Sequence, residues 1–533
     1  MLTMRCSAPW LELNISAPDN RVSACCYYAG ATDTYAALSE RNESLATTWN
    51  QPHLTELRRA HDGRGDGPMV PGCADCALFK SILNQSQVYA DLDALAAAPD
   101  LSPRQRANAR LAALEFAQGR HEATATPLRI YLNFGFRCNL TCAHCMQVAR
   151  RRKDEDQITY DLVRRWWNDL PAALDLTLIG GEPLAVPSAV RVLREFIADP
   201  AMAPVRLTLM TNGTLVHKHM RTLLDKERLS FAISIDSVGA GYETIRRGGD
   251  WTVLRDNLLA IRRTMRQSRP HWTLATNAHI SRTGILHLAD YARFHVDNDI
   301  ATYFHQLWRF RGVEENDYRE NVLAYAHLLD DIADWRQRFH EAETIFADAG
   351  RVANAEELAT VRQTLETLER TSPRRRHDQE SPVASFAGAA LGDALVAHGP
   401  HPPALEQAAS GLSFDCADIF QGCHLDVPLD AEAASADFVI RAQWRALTDN
   451  RTEMPCILAS GGHSYFHLLD WRETNDNGCL TKEMVLRPRA DAPQPPTFLR
   501  VMLSAAAVER RNRLPDRIEI FRRMPTRSTP SGA

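Results

Sequence analysis

Cys138, Cys142 and Cys145 stand in the spacing C-x3-C-x2-C within the stretch FGFRCNLTCAHCMQ, Phe134 to Gln147. Any disulfide scheme among three thiols leaves one over, whereas three thiolates can wrap a compact inorganic centre, and cysteine thiolate is the usual ligand of iron–sulfur clusters. A cube of four irons held by three cysteines keeps one iron open for a small-molecule ligand. A structural zinc site with His144 as fourth ligand, and three separately buried thiols, are the other readings of the triplet. Zinc sites usually repeat C-x2-C pairs, which favours the cluster.

A second set of thiols lies near the N-terminus: Cys6, Cys25 with its neighbour Cys26, and the C-x2-C pair Cys73 and Cys76. An alternating stretch (LELNIS) and a turn at Pro18-Asp19-Asn20 predict a β-hairpin between Cys6 and Cys25. The C-x2-C knuckle supplies two ligands from one tight turn, so four thiolates make either a closed zinc site or an iron–sulfur cluster. Cys26 is read as a packed thiol. Cys416, Cys423, Cys456 and Cys479 have long gaps and no C-x2-C, and buried thiols are the default for them. The alternatives there are a further cluster or zinc site, or a single hydrogen-atom donor at Cys416 or Cys456.

The elements that must position these residues follow from periodicity. From Pro127 to about Trp308, short apolar runs alternate with amphipathic segments of helical length. The runs are LRIYLNF, DLTLIG, VRLTLMTNG, RLSFAISIDS, HWTLATNAHIS and ATYFHQLW. Such strand–helix repeats predict a parallel sheet with right-handed crossovers, too short for a closed eight-stranded barrel. In barrels the working face is the C-terminal edge of the strands. The cysteine triplet, Gly180-Gly181-Glu182-Pro183, Thr211-Asn212-Gly213 and Ser234-Ile235-Asp236-Ser237 all sit at strand ends. Glycines let backbone approach closely, and a carboxylate beside them can hold an ammonium group.

The triplet, the GGEP tetrapeptide and the segment Tyr242-Glu243-Thr244-Ile245-Arg246 together resemble the radical S-adenosylmethionine (radical SAM) superfamily. The resemblance implies a partial (β/α)6 TIM-type barrel and a catalytic [4Fe–4S] cluster on Cys138, Cys142 and Cys145. It implies S-adenosylmethionine bound by Gly180, Gly181, Glu182, Ser234, Arg246 and Asn277. Glu182 and the backbone near it would receive the amino group, Ser234 (with Asp236 as a weaker choice) the ribose, and Arg246 the carboxylate. The implied activity is reductive cleavage of SAM to a 5′-deoxyadenosyl radical, which takes a hydrogen atom from substrate. Cys6, Cys25, Cys73 and Cys76 resemble the auxiliary-cluster module called SPASM, in its one-cluster twitch form, and imply one auxiliary [4Fe–4S] cluster. Asn20 stands where that module usually has glycine, and the module here precedes the barrel rather than following it.

On this reading residues 1–85 form the auxiliary module, 86–126 a helical connector, 127–310 the barrel, 311–412 a helical segment and flexible linker, and 413–533 a C-terminal α+β extension. The substrate expected is a ribosomally made peptide or protein, because the long stretch beyond the barrel could shape a groove. Oxidation or rearrangement of a small molecule such as an aminosugar is the alternative, and a non-catalytic iron–sulfur carrier the rival of another class. His279, His305, Gln306 and Trp308 are candidates to touch substrate. A reductase such as flavodoxin or ferredoxin is the expected electron donor.

Composition limits the rest. A net charge of −5 over 533 residues gives no support for a nucleic-acid surface. No run reaches the roughly 18 apolar residues of a membrane span, and the N-terminus has no basic segment followed by a long apolar one. Twelve cysteines without an export signal fit metal or redox chemistry in the cytoplasm better than disulfides.

Overall fold

A computed structural model describes residues 6–16, 21–25, 44–62, 91–145, 147, 158–305, 320–323, 326–329, 332–371, 380–398, 405–408, 411–415, 422–430, 436–445, 456–460, 466–476, 479–488, 497–504 and 511–523. Cys26, Cys73, Cys76, Gln306, Trp308 and Cys416 lie outside the described residues, as does the side chain of Cys456. The chain divides into two compact units. One holds Met1–Thr141, Arg151–Ala278 and Arg293–Tyr303; the other holds Cys142–Arg150, His279–Ala292 and Phe304–Ala533.

The six apolar runs become strands β3 (Arg129–Asn133), β4 (Asp175–Ile179), β5 (Arg206–Thr211), β6 (Leu229–Ser234), β7 (Thr273–His279) and β8 (Ala301–His305). They follow one another in sheet order, and each pairing from β3 to β7 is parallel. Strands β3 to β7 therefore end on one edge. Burial alternates along β5 and β6, as a sheet with one covered face requires. The covering helices carry the matching stripe. In Pro187–Ala198 the buried residues are Ala189, Val192, Leu193 and Phe196, one helical face, and each large one contributes roughly 1.5–3 kcal/mol by burial.

The N-terminal hairpin forms as expected from β1 (Glu12–Ser16) and β2 (Arg21–Ser23), with Cys6 before it and Cys25 just after. Its place differs from a separate module. β1 pairs in parallel with β3, Leu13 against Ile130 and Ile15 against Leu132, so the sheet has eight strands. Leu13 and Ile15 are fully buried, and this apolar face is why the hairpin joins the sheet. The connector is helical where expected, at Leu92–Ala97 and Pro103–Gln118. Pro103 fills the first turn, and Ser102 and Gln105 form a capping box.

In the second unit two helices, Trp335–Asp348 and Val352–Thr371, precede a region of antiparallel strands. The stretch expected to be a linker instead holds β9 (Glu380–Ala387), the helix Ala389–Ala394, β10 (Val396–His398) and β11 (Leu405–Ala408). Further strands are β12 (Gly411–Asp415), β13 (Gly422–Pro428), β14 (Asp437–Arg445), β15 (Cys456–Ser460), β16 (Phe466–Asp476), β17 (Cys479–Pro488), β18 (Phe498–Ser504), β19 (Arg511–Arg513) and β20 (Arg517–Arg523). They form sheets β10-β13-β18-β15, β11-β12-β19 and β16-β17-β14-β20-β9. The core between them takes alternate residues of β14 (Phe438, Ile440, Ala442, Trp444) with Leu480, Met484 and Leu486 of β17. From residue 413 onward the described elements are strands alone. No helix among the described residues is long and apolar enough to cross a membrane.

Candidate functional site

The cysteine loop leaves β3 and is fastened to the ends of β4 and β5 and to the segment that follows the helix after β6. Phe134 N donates to Ile179 O at 2.9 Å, Gly181 N to Gly135 O at 2.7 Å, and Glu182 N to Arg137 O at 2.8 Å. Thr141 N donates to Arg247 O at 2.9 Å, beyond the end of β6. A Cβ on Gly181 would stand 2.3 Å from Arg137 O and 2.5 Å from Phe136 O, and one on Gly180 2.8 Å from Gly135 O. The glycine pair is thus required by the approach of the cysteine loop itself, which the tetrapeptide alone does not reveal.

Glu182 is completely buried. Its carboxylate accepts Leu184 N at 3.0 Å and Thr211 Oγ1 at 2.8 Å on Oε1, and Thr211 Oγ1 at 2.9 Å and Asn212 N at 2.7 Å on Oε2. Burial pushes its pKa up, and the backbone donors Asn212 and Leu184 with the Thr211 hydroxyl oppose the rise. The carboxylate therefore ties the end of β4 to the end of β5. The side chain expected to receive an ammonium group is thus engaged by these protein donors on both oxygens.

The turn after β5 carries the residues that sequence reasoning left unassigned. Gly213 adopts φ +77°, and a Cβ there would stand 2.6 Å from Leu254 Cδ1. Asn212, buried, donates from Nδ2 to Cys138 Sγ at 3.7 Å and to Asn139 Oδ1 at 2.9 Å. Cys138 Sγ also accepts Leu140 N at 3.4 Å. Two N–H donors aimed at one sulfur suit a thiolate, and a thiolate is what a cluster ligand must be. All three cysteines lie on the one loop, with Cys145 N donating to Cys142 O at 3.2 Å. The donor set fits an iron–sulfur cluster.

Asp236 and Arg246 form a buried pair, with Arg246 Nε and Nη2 each 2.7 Å from Asp236 Oδ2. Ser234 lies opposite Asn277 in the β6–β7 register, and Asn277 O accepts Ile235 N at 2.9 Å. Both side chains are half-buried. At the ends of β7 and β8, His279 and His305 have ring centroids 6.2 Å apart, and His144 of the cysteine loop lies 5.5 Å from His279. Cys6 and Cys25 are half-buried at either side of the hairpin. Cys423 is buried in the C-terminal strands, where desolvation pushes its thiol up to about 12 and suits it to packing.

The ends of the parallel strands thus bring together a three-cysteine loop, a glycine pair and a buried acidic brace. Residues 132–277 match the family model described as the Radical SAM superfamily, so this stretch of the chain carries a radical SAM domain. Among solved structures it is similar to SuiB of Streptococcus suis bound to S-adenosylmethionine, at 14% identity and a TM-score of 0.34, over 54% of this chain and 63% of SuiB. The chain thus covers less than two thirds of SuiB. It is also similar to anSMEcpe with AdoMet and a Cp18Cys peptide, at 17% identity and TM-score 0.27, over 34% of this chain and 50% of that one. TYW1 with a lysine-pyruvate adduct is a further likeness, at 10% identity and TM-score 0.26, over 42% and 73%. These are distant and partial likenesses. No curated protein matches the chain in sequence.

Proposed function

We propose that Cys138, Cys142 and Cys145 hold the catalytic [4Fe–4S] cluster of this radical SAM enzyme, and that its substrate is a peptide or protein. The observation that carries the cluster assignment is the pair of N–H donors on Cys138 Sγ within a loop fastened to the ends of β4 and β5. When bound, the cluster and SAM supply the one-electron cleavage that yields a 5′-deoxyadenosyl radical for hydrogen abstraction. This chain's own residues bind and orient. Backbone at Gly180, Gly181 and Glu182 is assigned to the amino group of SAM, Ser234 and Asn277 to its ribose side, and Arg246, oriented by Asp236, to its carboxylate. His279 and His305 are assigned to the substrate side. The long stretch beyond β8 supports a peptide or protein substrate.

Cys6, Cys25, Cys73 and Cys76 are assigned to one auxiliary [4Fe–4S] cluster, with flavodoxin or ferredoxin as the electron donor. Support for the module is the hairpin between Cys6 and Cys25. Anaerobic reconstitution followed by electron paramagnetic resonance of the dithionite-reduced protein tests the reading. A cluster signal that changes on adding SAM is expected. A cluster signal indifferent to SAM would leave an iron–sulfur carrier, and zinc in place of iron a scaffold.

A further inference from the structure

Three side chains around the turn after β5 close a ring of hydrogen bonds. Asn212 Nδ2 donates to Asn139 Oδ1 at 2.9 Å, Asn139 Nδ2 to Thr214 Oγ1 at 2.9 Å, and Thr214 Oγ1 to Asn212 Oδ1 at 2.7 Å. The orientation of the Asn212 amide is set by chemistry. Thr214 N also meets Asn212 Oδ1, at 3.0 Å, and a backbone N–H can only donate. The oxygen must therefore face Thr214, which turns the NH2 group toward Cys138 Sγ, 3.7 Å away. On its other side Asn212 is held by its own backbone, whose N–H is taken by Glu182. Asn257 Nδ2, donating to Gly213 O at 2.8 Å, fixes the turn from outside. Asn212 and Thr214 are both buried, so the donor acts where few water molecules compete.

We propose that Asn212 is a positioning residue that raises the reduction potential of the cluster by donating its amide N–H to Cys138 Sγ, with Glu182, Thr214 and Asn139 holding it in place. The proposal rests on Cys138 being a cluster ligand. Reduction adds one electron, supplied by dithionite in the test, and increases the negative charge on the ligating sulfurs. A donor aimed at such a sulfur is worth more after reduction than before, so it stabilises the reduced state and raises the potential. The same asparagine, next to Cys138 in space and bonded to Asn139 beside it in sequence, ties the GGEP brace to the cluster loop.

The test is a dithionite titration of the reconstituted full chain, following the resonance signal that SAM perturbs, in the wild type and in Asn212→Leu and Thr214→Val. Asn212→Leu keeps the volume and removes the donor. Its cluster is expected to be about tenfold harder to reduce, a potential lower by about 59 mV for a one-electron couple. Thr214→Val leaves Asn212 in place but loosens its orientation, and a smaller fall of the same sign is expected. Equal potentials in all three proteins would overturn the proposal, since a purely structural asparagine moves iron content but not potential. If Asn212→Leu takes up no iron, Thr214→Val alone decides, by the same sign. A wild type that takes up no iron would overturn the cluster reading beneath the proposal, and is told apart by iron analysis before any titration.

Discussion

Glu182 accepts backbone N–H groups on both carboxylate oxygens, Leu184 N on Oε1 and Asn212 N on Oε2, and neither donor can reverse its polarity. An amide at this position must set its NH2 against one of them. Glu182→Gln, nearly the same size, is therefore expected to cost about 1–3 kcal/mol and to lower iron uptake, read by thermal melting and iron analysis. A melting temperature equal to wild type would contradict the brace. The Asp236–Arg246 pair follows the same logic with charge. Asp236→Asn leaves a buried guanidinium without its carboxylate, which costs about 3–5 kcal/mol where a buried pair is broken. SAM affinity should fall with stability, whereas an unaffected melt would show that the pair holds nothing. The carboxylate at 182 and the arginine at 246 were singled out in the sequence through the family resemblance of the segments that hold them. What they touch was not, because a strand-end tetrapeptide does not say which neighbouring loop descends on it.

At the scale of the element, the cysteine loop and the glycine turn meet backbone to backbone. Gly181→Ala would place a methyl 2.3 Å from Arg137 O, a distance that Cβ atoms do not show, and backbone on the loop cannot swing aside as a side chain can. The loop must lift, so this variant is expected to fold with its strands intact yet to lose most of its iron. Far-ultraviolet circular dichroism beside iron analysis checks both halves, and full iron occupancy would contradict the packing. The six barrel strands were readable because alternating burial leaves a period-two pattern and each run ends in a turn signal. The hairpin of β1 and β2 was readable too. Its parallel pairing with β3 was not, since pairing across more than a hundred residues leaves no local mark. Asn212 escaped as a site residue for a related reason. Thr-Asn-Gly is a sound turn on its own, and only the fold brings Cys138 to it.

At the scale of the whole molecule, the C-terminal strands show where sequence reading ran short. Pro, Ala and Gly in residues 371–412 suggested a linker, but β9 within them pairs with β20 along its length and is specified by a strand more than a hundred residues away. Lys482 marks the core of that region. It sits on β17 between Leu480 and Met484, opposite Ala442, with its ammonium 5.4 Å from the Trp444 ring. Burial lowers its pKa from the ordinary 10.5 to about 7. Folding thus favours the neutral amine, and the stability this gives is present above pH 10.5 and lost as pH falls toward 7. Lys482→Met is expected to melt higher than wild type, with a gap that widens from pH 10 to 7 and is flat below, up to a ceiling of about 5 kcal/mol. Parallel melting curves would contradict it.

The central claim is that Cys138, Cys142 and Cys145 carry a cluster that cleaves SAM. The measurement that tests it most directly is iron content and 5′-deoxyadenosine formation after anaerobic reconstitution and dithionite reduction, in the wild type and in the Cys138→Ala, Cys142→Ala, Cys145→Ala triple variant. With one auxiliary cluster present, about eight irons falling to about four are expected, with 5′-deoxyadenosine formed by the wild type alone. Iron content that the triple variant leaves unchanged, or no cleavage of SAM by the wild type, would contradict it.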